Sequence, residues 1–142
     1  MKKLQLVLLF LALAATCRFY NALGQGYQQN PPQININAKG GIYNHDGTKL
    51  GYIDKDNIVR NNAGKKVYFI DRDGNVIDAN GNKLGKAQKN GTYYNLAGQT
   101  VLTAKDIDKE KCAILDPVGH NMGTTHQNYK LHACAAHCLF LE

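Results

Sequence analysis

No stretch between residues 34 and 130 repeats apolar side chains at helical spacing, so the body of the chain reads as strands. There is no Ser-His-Asp ordering, no phosphate loop and no pair of carboxylates with an arguable common cleft. The commonest hydrolytic and nucleotide-dependent chemistries are therefore unsupported, and a non-enzymatic protein is expected. No C-x-x-C pair occurs, which removes the standard zinc fingers and the thioredoxin-type redox motif. Acidic residues are few, 11 against 17 basic ones, for a formal charge of +6. The lysines read as scattered through turns, with no stripe of interleaved aromatics, so nucleic-acid binding is not expected.

Only one apolar run is long. Leu4–Thr16 is broken by Gln5 alone and follows Lys2 and Lys3. It is too short to span a bilayer and fits the core of a signal peptide. Cleavage after Ala22-Leu23-Gly24 gives a signal peptide over 1–24 and a mature chain without a transmembrane segment. The alternative is a lipoprotein anchored at Cys17. Either way export is expected, to the periplasm, the cell surface or the medium. Lys2, Lys3 and Arg18 leave with the peptide, so 14 bases face 11 acids and the net charge falls to +3. Residues 25–33 (QGYQQNPPQ) read as a flexible leader.

What fills the rest is a 17-residue period. Three units stand in register without a gap: GYIDKDNIVRNNAGKKV (51–67), YFIDRDGNVIDANGNKL (68–84) and GKAQKNGTYYNLAGQTV (85–101). A further unit precedes them at 34–50. A fifth, Leu102–Met122, carries a four-residue insertion, and Gly123 opens a sixth. Three columns are mainly apolar. The third position holds Ile36, Ile53, Ile70, Ala87 and Ala104. The ninth holds Ile42, Val59, Val76, Tyr93 and Ile114, and the last Leu50, Val67, Leu84, Val101 and Met122. Aliphatic and β-branched pegs between polar residues are strand chemistry with one buried face.

Two turns punctuate each unit. One lies near Asp73-Gly74 and Asn90-Gly91, with Asn57 in the glycine's place in the second unit. The other carries Gly47, Gly64, Gly81, Gly98 and Gly119. Each of these glycines follows, three residues on, Asn44, Asn61, Asp78, Asn95 or Asp116. A short carboxamide or carboxylate there can accept a backbone N–H two residues on and close the turn. Gly51, Gly85 and Gly123 fall between apolar pegs of odd spacing, so a glycine bulge is expected to turn both pegs inward.

Each unit is thus two short strands, too little to stand alone. Five in series bury a core by closing a flower- or propeller-like ring, or by stacking into a β-solenoid. The ring is preferred, because the partial sixth unit can lay a strand beside the first and remove the open edge.

The turn-rich pattern DGNVIDANGNKLG (73–85), recurring over five short units behind an export signal, resembles the five-fold β-flower proteins of Bacteroidetes. The resemblance spans residues 34–130 and implies a fold. It implies no reaction and carries over no functional residues. Family members tend to end in an alanine- and aromatic-rich tail. Here the tail, residues 131–142 (LHACAAHCLFLE), departs from that pattern by its histidines and cysteines.

That tail, a short segment compatible with a helix, concentrates His132, Cys134, His137 and Cys138, donors that zinc or copper accepts. The alternative is a tail that packs against the ring or joins Cys112 to Cys134 or Cys138 in a disulfide. No cofactor is expected unless the metal reading holds. The acids Asp71, Asp73 and Asp78 suggest a calcium loop but lack the remaining oxygen ligands, so they read as turn residues. Tyr52 and Tyr94 fall in outward columns and are candidates for a shallow surface that takes a glycan or a protein. The expectation is an exported scaffold or binding module with a cell-surface glycan or protein as partner. The rival is a metal-binding protein.

Overall fold

The computed structural model describes residues 32–140. The signal peptide, Cys17 and most of the leader lie outside the described residues. Eleven strands follow one another: β1 (Ile34–Ile36), β2 (Gly41–Asn44), β3 (Lys49–Ile53), β4 (Ile58–Asn61), β5 (Lys66–Ile70), β6 (Asn75–Asp78), β7 (Lys83–Ala87), β8 (Tyr93–Asn95), β9 (Thr100–Asp106), β10 (Lys111–Leu115) and β11 (Asn121–His126). Each pairs antiparallel with the next, and β11 returns to β1, so the sheet closes. Closure excludes the solenoid and leaves no strand edge unpaired. The strand opened by Gly123 is the closing one, with Ile34 opposite Gly123 and Ile36 opposite Thr125. That pairing is parallel, since an odd number of alternating strands leaves the first and last pointing the same way.

The expected bulge is present in every unit. Ile42 pairs with Gly51 and Tyr43 with Lys49, which leaves Leu50 as the extra residue. Val67, Leu84, Val101 and Met122 are left over in the same way. The last column is therefore the bulge column. Its five side chains pack against the core while half-buried. The glycine beside the bulge answers to space, since a Cβ on Gly51 would strike the Arg60 carbonyl, and one on Gly85 the Tyr94 carbonyl and the Tyr93 hydroxyl. Tyr68 and Leu102 take that column in the other units and fill the interior.

An eight-stranded barrel is filled by its own side chains, whereas eleven strands leave an axial space. The tail occupies it. Gln127–Cys134 forms a 3-10 segment kinked at Tyr129 and His132, followed by one α-turn, α1 (Ala135–Cys138). Helical structure thus starts four residues before the expected boundary at 131. Ala133, Cys134, Ala135, Ala136 and Cys138 are buried in one cluster with Ile34, Ile53, Tyr68, Val76 and Ile114. The run of small side chains from Ala133 to Ala136, with His132 as the one large fully buried group, lets the segment enter where a Leu-rich one would collide with the wall.

The tail is not tied by a disulfide, because Cys112, Cys134 and Cys138 are all free thiols. Cys112 instead contacts Asp106, with Sγ to Oδ1 at 3.4 Å. Asp106 also accepts Lys130 Nζ at 2.8 Å and Gln127 Nε2 at 3.0 Å. Those bonds hold its carboxyl down to about 2, the Lys130 bond most of all. The fifth unit's insertion lengthens β9 to Asp106 and so supplies this anchor for the tail's entry.

Candidate functional site

The turns divide the ring into two rims. In the predicted series the Asn or Asp side chain accepts two backbone N–H groups, not one. Asn61 Oδ1 takes Ala63 N and Lys65 N, both at 3.0 Å, and Asp78 Oδ1 takes Asn80 N at 2.9 Å and Asn82 N at 2.8 Å. Asn44, Asn95 and Asp116 repeat this pattern. Gly47, Gly64, Gly81, Gly98 and Gly119 follow with φ between 79° and 98°. The opposite rim uses the same device at Asn37, Asp54 and Asp71, a column the sequence reading passed over. Its signal was available, because each stands three residues before Gly40, Asn57 or Gly74. Asp71, the first of the suspected calcium acids, spends Oδ1 on its own turn. Asn61→Ala is expected to cost about 0.5–1.5 kcal/mol in urea unfolding, with Asn61→Asp near neutral. Equal losses for the two would sink the assigned role.

Between the rims runs an outward wall. Every described acid sits in a turn or at a strand's last position, whereas bases such as Lys49, Arg60, Lys66, Lys83 and Lys86 lie on strands. The lysines are therefore not confined to turns, and the bulge brings two of them to the same face as the aromatic ring three residues on in the same strand. Lys49 Nζ stands 5.7 Å from the Tyr52 ring centre and Lys66 Nζ 5.0 Å from that of Phe69. Arg60 is paired with Asp54 at 2.9 Å.

Two grooves open on this wall at equivalent places in the repeat. One, about 290 Å³, is lined by Lys83, Lys86, Tyr94, Asn95 and Leu96. The other, about 350 Å³, lies at the closing seam beside Asn35, Tyr43, Asn44, His45 and Thr124. Tyr43 and Tyr94 occupy the tenth position of their units, and Asn44 and Asn95 the eleventh. Of the two predicted aromatic candidates, Tyr94 walls a groove. Tyr52 faces outward, half-buried beneath Lys49. Tyr43, Lys83 and Leu96 were not predicted.

The family model described as 5-fold beta-flower protein matches residues 28–115. The chain belongs to this family. No curated protein and no solved structure matches it. The matched span ends at Leu115, short of the 130 expected, so the beta-flower closing strand and its plug lie beyond it.

Within the beta-flower ring the four suspected metal ligands do not converge: only Cys134 and Cys138 stay side by side, while the two histidines take other partners. His132 Nε2 lies 3.2 Å from Asn57 Oδ1, and its ring is tilted against Tyr68 with centres 6.3 Å apart. His137 packs on Tyr93 at 5.8 Å. Cys134 Sγ reaches the Tyr68 hydroxyl at 3.8 Å, and its bond to Cys138, reinforced by burial, keeps its proton in place. Among the described residues no three His, Cys, Asp or Glu side chains gather as a metal site.

His132 supplies a pH dependence. Its Nδ1 is buried without a hydrogen-bond partner, and burial pushes the imidazole down to about 4 against a weaker pull from Asp54. Above the unfolded value, about 6.5, both states are neutral and nothing is lost. Below it the unfolded chain takes the proton first, so stability falls with pH. The loss reaches about 3 kcal/mol near pH 4. Urea unfolding at several pH values is expected to show this decline between pH 6.5 and 4. His132→Gln should flatten it, and a variant as acid-sensitive as the parent would refute the assignment.

Proposed function

We propose that this chain is an exported, non-enzymatic β-ring that binds sugar chains on its outer wall. It is read as five two-stranded 17-residue units in a flower-like arrangement. One observation carries the reading: two grooves recur at the same repeat position, each walled by a half-buried tyrosine. A tyrosine face stacks on the C–H face of a sugar, and its hydroxyl bonds at the edge. Single grooves of this size bind weakly, and two on one ring suit a repetitive polymer through avidity. The sugar is expected to leave unaltered. A polysaccharide array with the full chain is the test. Binding is expected and should drop about a hundredfold in the Tyr43→Ala/Tyr94→Ala double variant, the avidity gain being lost with both sites. A parent that binds no polysaccharide would end the proposal.

A further inference from the structure

We infer that the groove between β7 and β8 is selective for a sugar that carries a carboxylate, a uronic acid residue within a polysaccharide. The inference rests on the glycan reading above and adds the ligand's charge.

The cations of the wall are unequal. Lys49 and Lys66 stand over aromatic rings of their own strands, Arg60 is paired with Asp54, and Lys130 with Asp106. Lys83 and Lys86 do neither among the described residues. The repeat explains why. Lys49 and Lys66 are followed three residues on by Tyr52 and Phe69, while Lys83 is followed by Lys86. The fourth unit thus puts a second cation where the two units before it put the ring that covers the lysine. The aromatic comes across the strand instead, with Tyr94 directly opposite Lys86.

The resulting groove has two unlike sides. Lys83 and Lys86 of β7 form a cationic edge, while Tyr94 of β8 and Leu96 of the following turn form an apolar one. Leu96 is 68% exposed, a cost that covering it with a ligand would relieve. Asn95 is spent on its own turn, accepting Ala97 N and Gln99 N, which leaves recognition to the two lysines, Tyr94 and Leu96. A uronic acid is two-sided in the same sense. Its C–H face is apolar, and the carboxylate at C5 lies at the ring's edge. Laid on Tyr94 and Leu96, it presents that carboxylate to both ammonium groups. The seam groove offers His45, Asn35 and Thr124 in place of the lysines, so it lacks this preference. A nucleic acid would need a continuous basic track with successive stacking rings. Here Lys49 and Lys66 stand over their own aromatics, which leaves no such track.

The test is titration of the full chain with a galacturonic acid trimer, the neutral galactose trimer and a thymidine oligonucleotide, followed by amide shifts in NMR. The acidic trimer is expected to shift amides of Lys86, Tyr94 and Leu96 and to bind about tenfold more tightly than the neutral one. Lys83→Gln/Lys86→Gln, a pair of exposed changes that leave the core untouched, should bring the acidic trimer's affinity down about tenfold, to that of the neutral one. Equal affinity for both trimers would overturn the charge selectivity and leave the glycan reading standing. Shifts confined to another surface, or equal binding of the oligonucleotide in this groove, would also overturn it. Failure of both trimers to bind, with no polysaccharide captured on an array, would remove both readings.

Discussion

Truncation after Lys130 is expected to cost the ring more than about 5 kcal/mol and to abolish its cooperative unfolding. One large-to-small change in a packed core costs about 2–5 kcal/mol, growing with the residual cavity. This truncation removes six buried side chains and their backbone from the axis, together with the cover that Leu139 gives. The wall residues Ile53, Tyr68, Val76, Tyr93 and Ile114 would then face a water-sized tunnel. Domains of this size hold only about 5–15 kcal/mol in total. Thermal unfolding and binding of a hydrophobic dye are the measurements. A truncated chain that keeps a sharp transition near the parent's Tm would show that the eleven strands stand alone. A smaller perturbation makes the same point without deletion. Ala135→Leu adds volume to a fully buried position and should cost about 1–3 kcal/mol through overpacking.

Gly123→Ala is expected to be the most damaging single methyl group in the chain, at about 3 kcal/mol or more, because two penalties coincide. The residue has φ of 132°, a region that L side chains rarely enter. Its Cβ would also lie 2.8 Å from Ile34 N and closer still to the Ile34 carbonyl. These are backbone atoms of the opposing strand, so relief requires β1 and β11 to part at the seam that closes the ring. Gly81→Ala is the matched control. It has φ of 86° but nothing within 4 Å of the added carbon, and should cost about 1–2 kcal/mol. Hydrogen exchange at Ile34–Ile36 should quicken in the first variant and not in the second. Equal stability of the two would mean that the seam does not hold the ring.

The wall shows where reading along the chain stops. Lys49 and Tyr52, like Lys66 and Phe69, stand three apart on one strand, a spacing that strict alternation would send to opposite faces. Only the bulges at Leu50 and Val67 turn each pair to one side. The Lys86–Tyr94 pair depends on register, and register follows from the bulges at Leu84 and Val101. The rim facing the tail was missed for a simpler reason. Asn37, Asp54 and Asp71 form a column as regular as Asn61 and Asp78, but Gln88 breaks it in the fourth unit. The predicted disulfide failed because Cys112 sits at the tail's point of entry, where Asp106 and Lys130 meet it, while Cys134 and Cys138 lie further in beside Tyr68 and Tyr93.

Strand positions, turn chemistry, the bulge and the sixth unit's closing strand were all present in the order of residues, since each depends on neighbours within one 17-residue period. The tail's place on the axis, the fate of its thiols and histidines, and the pairing of Tyr94 with two uncovered lysines came only from the closed ring. Those features depend on the circumference of eleven strands and on contacts between units far apart in the chain, which no local pattern encodes.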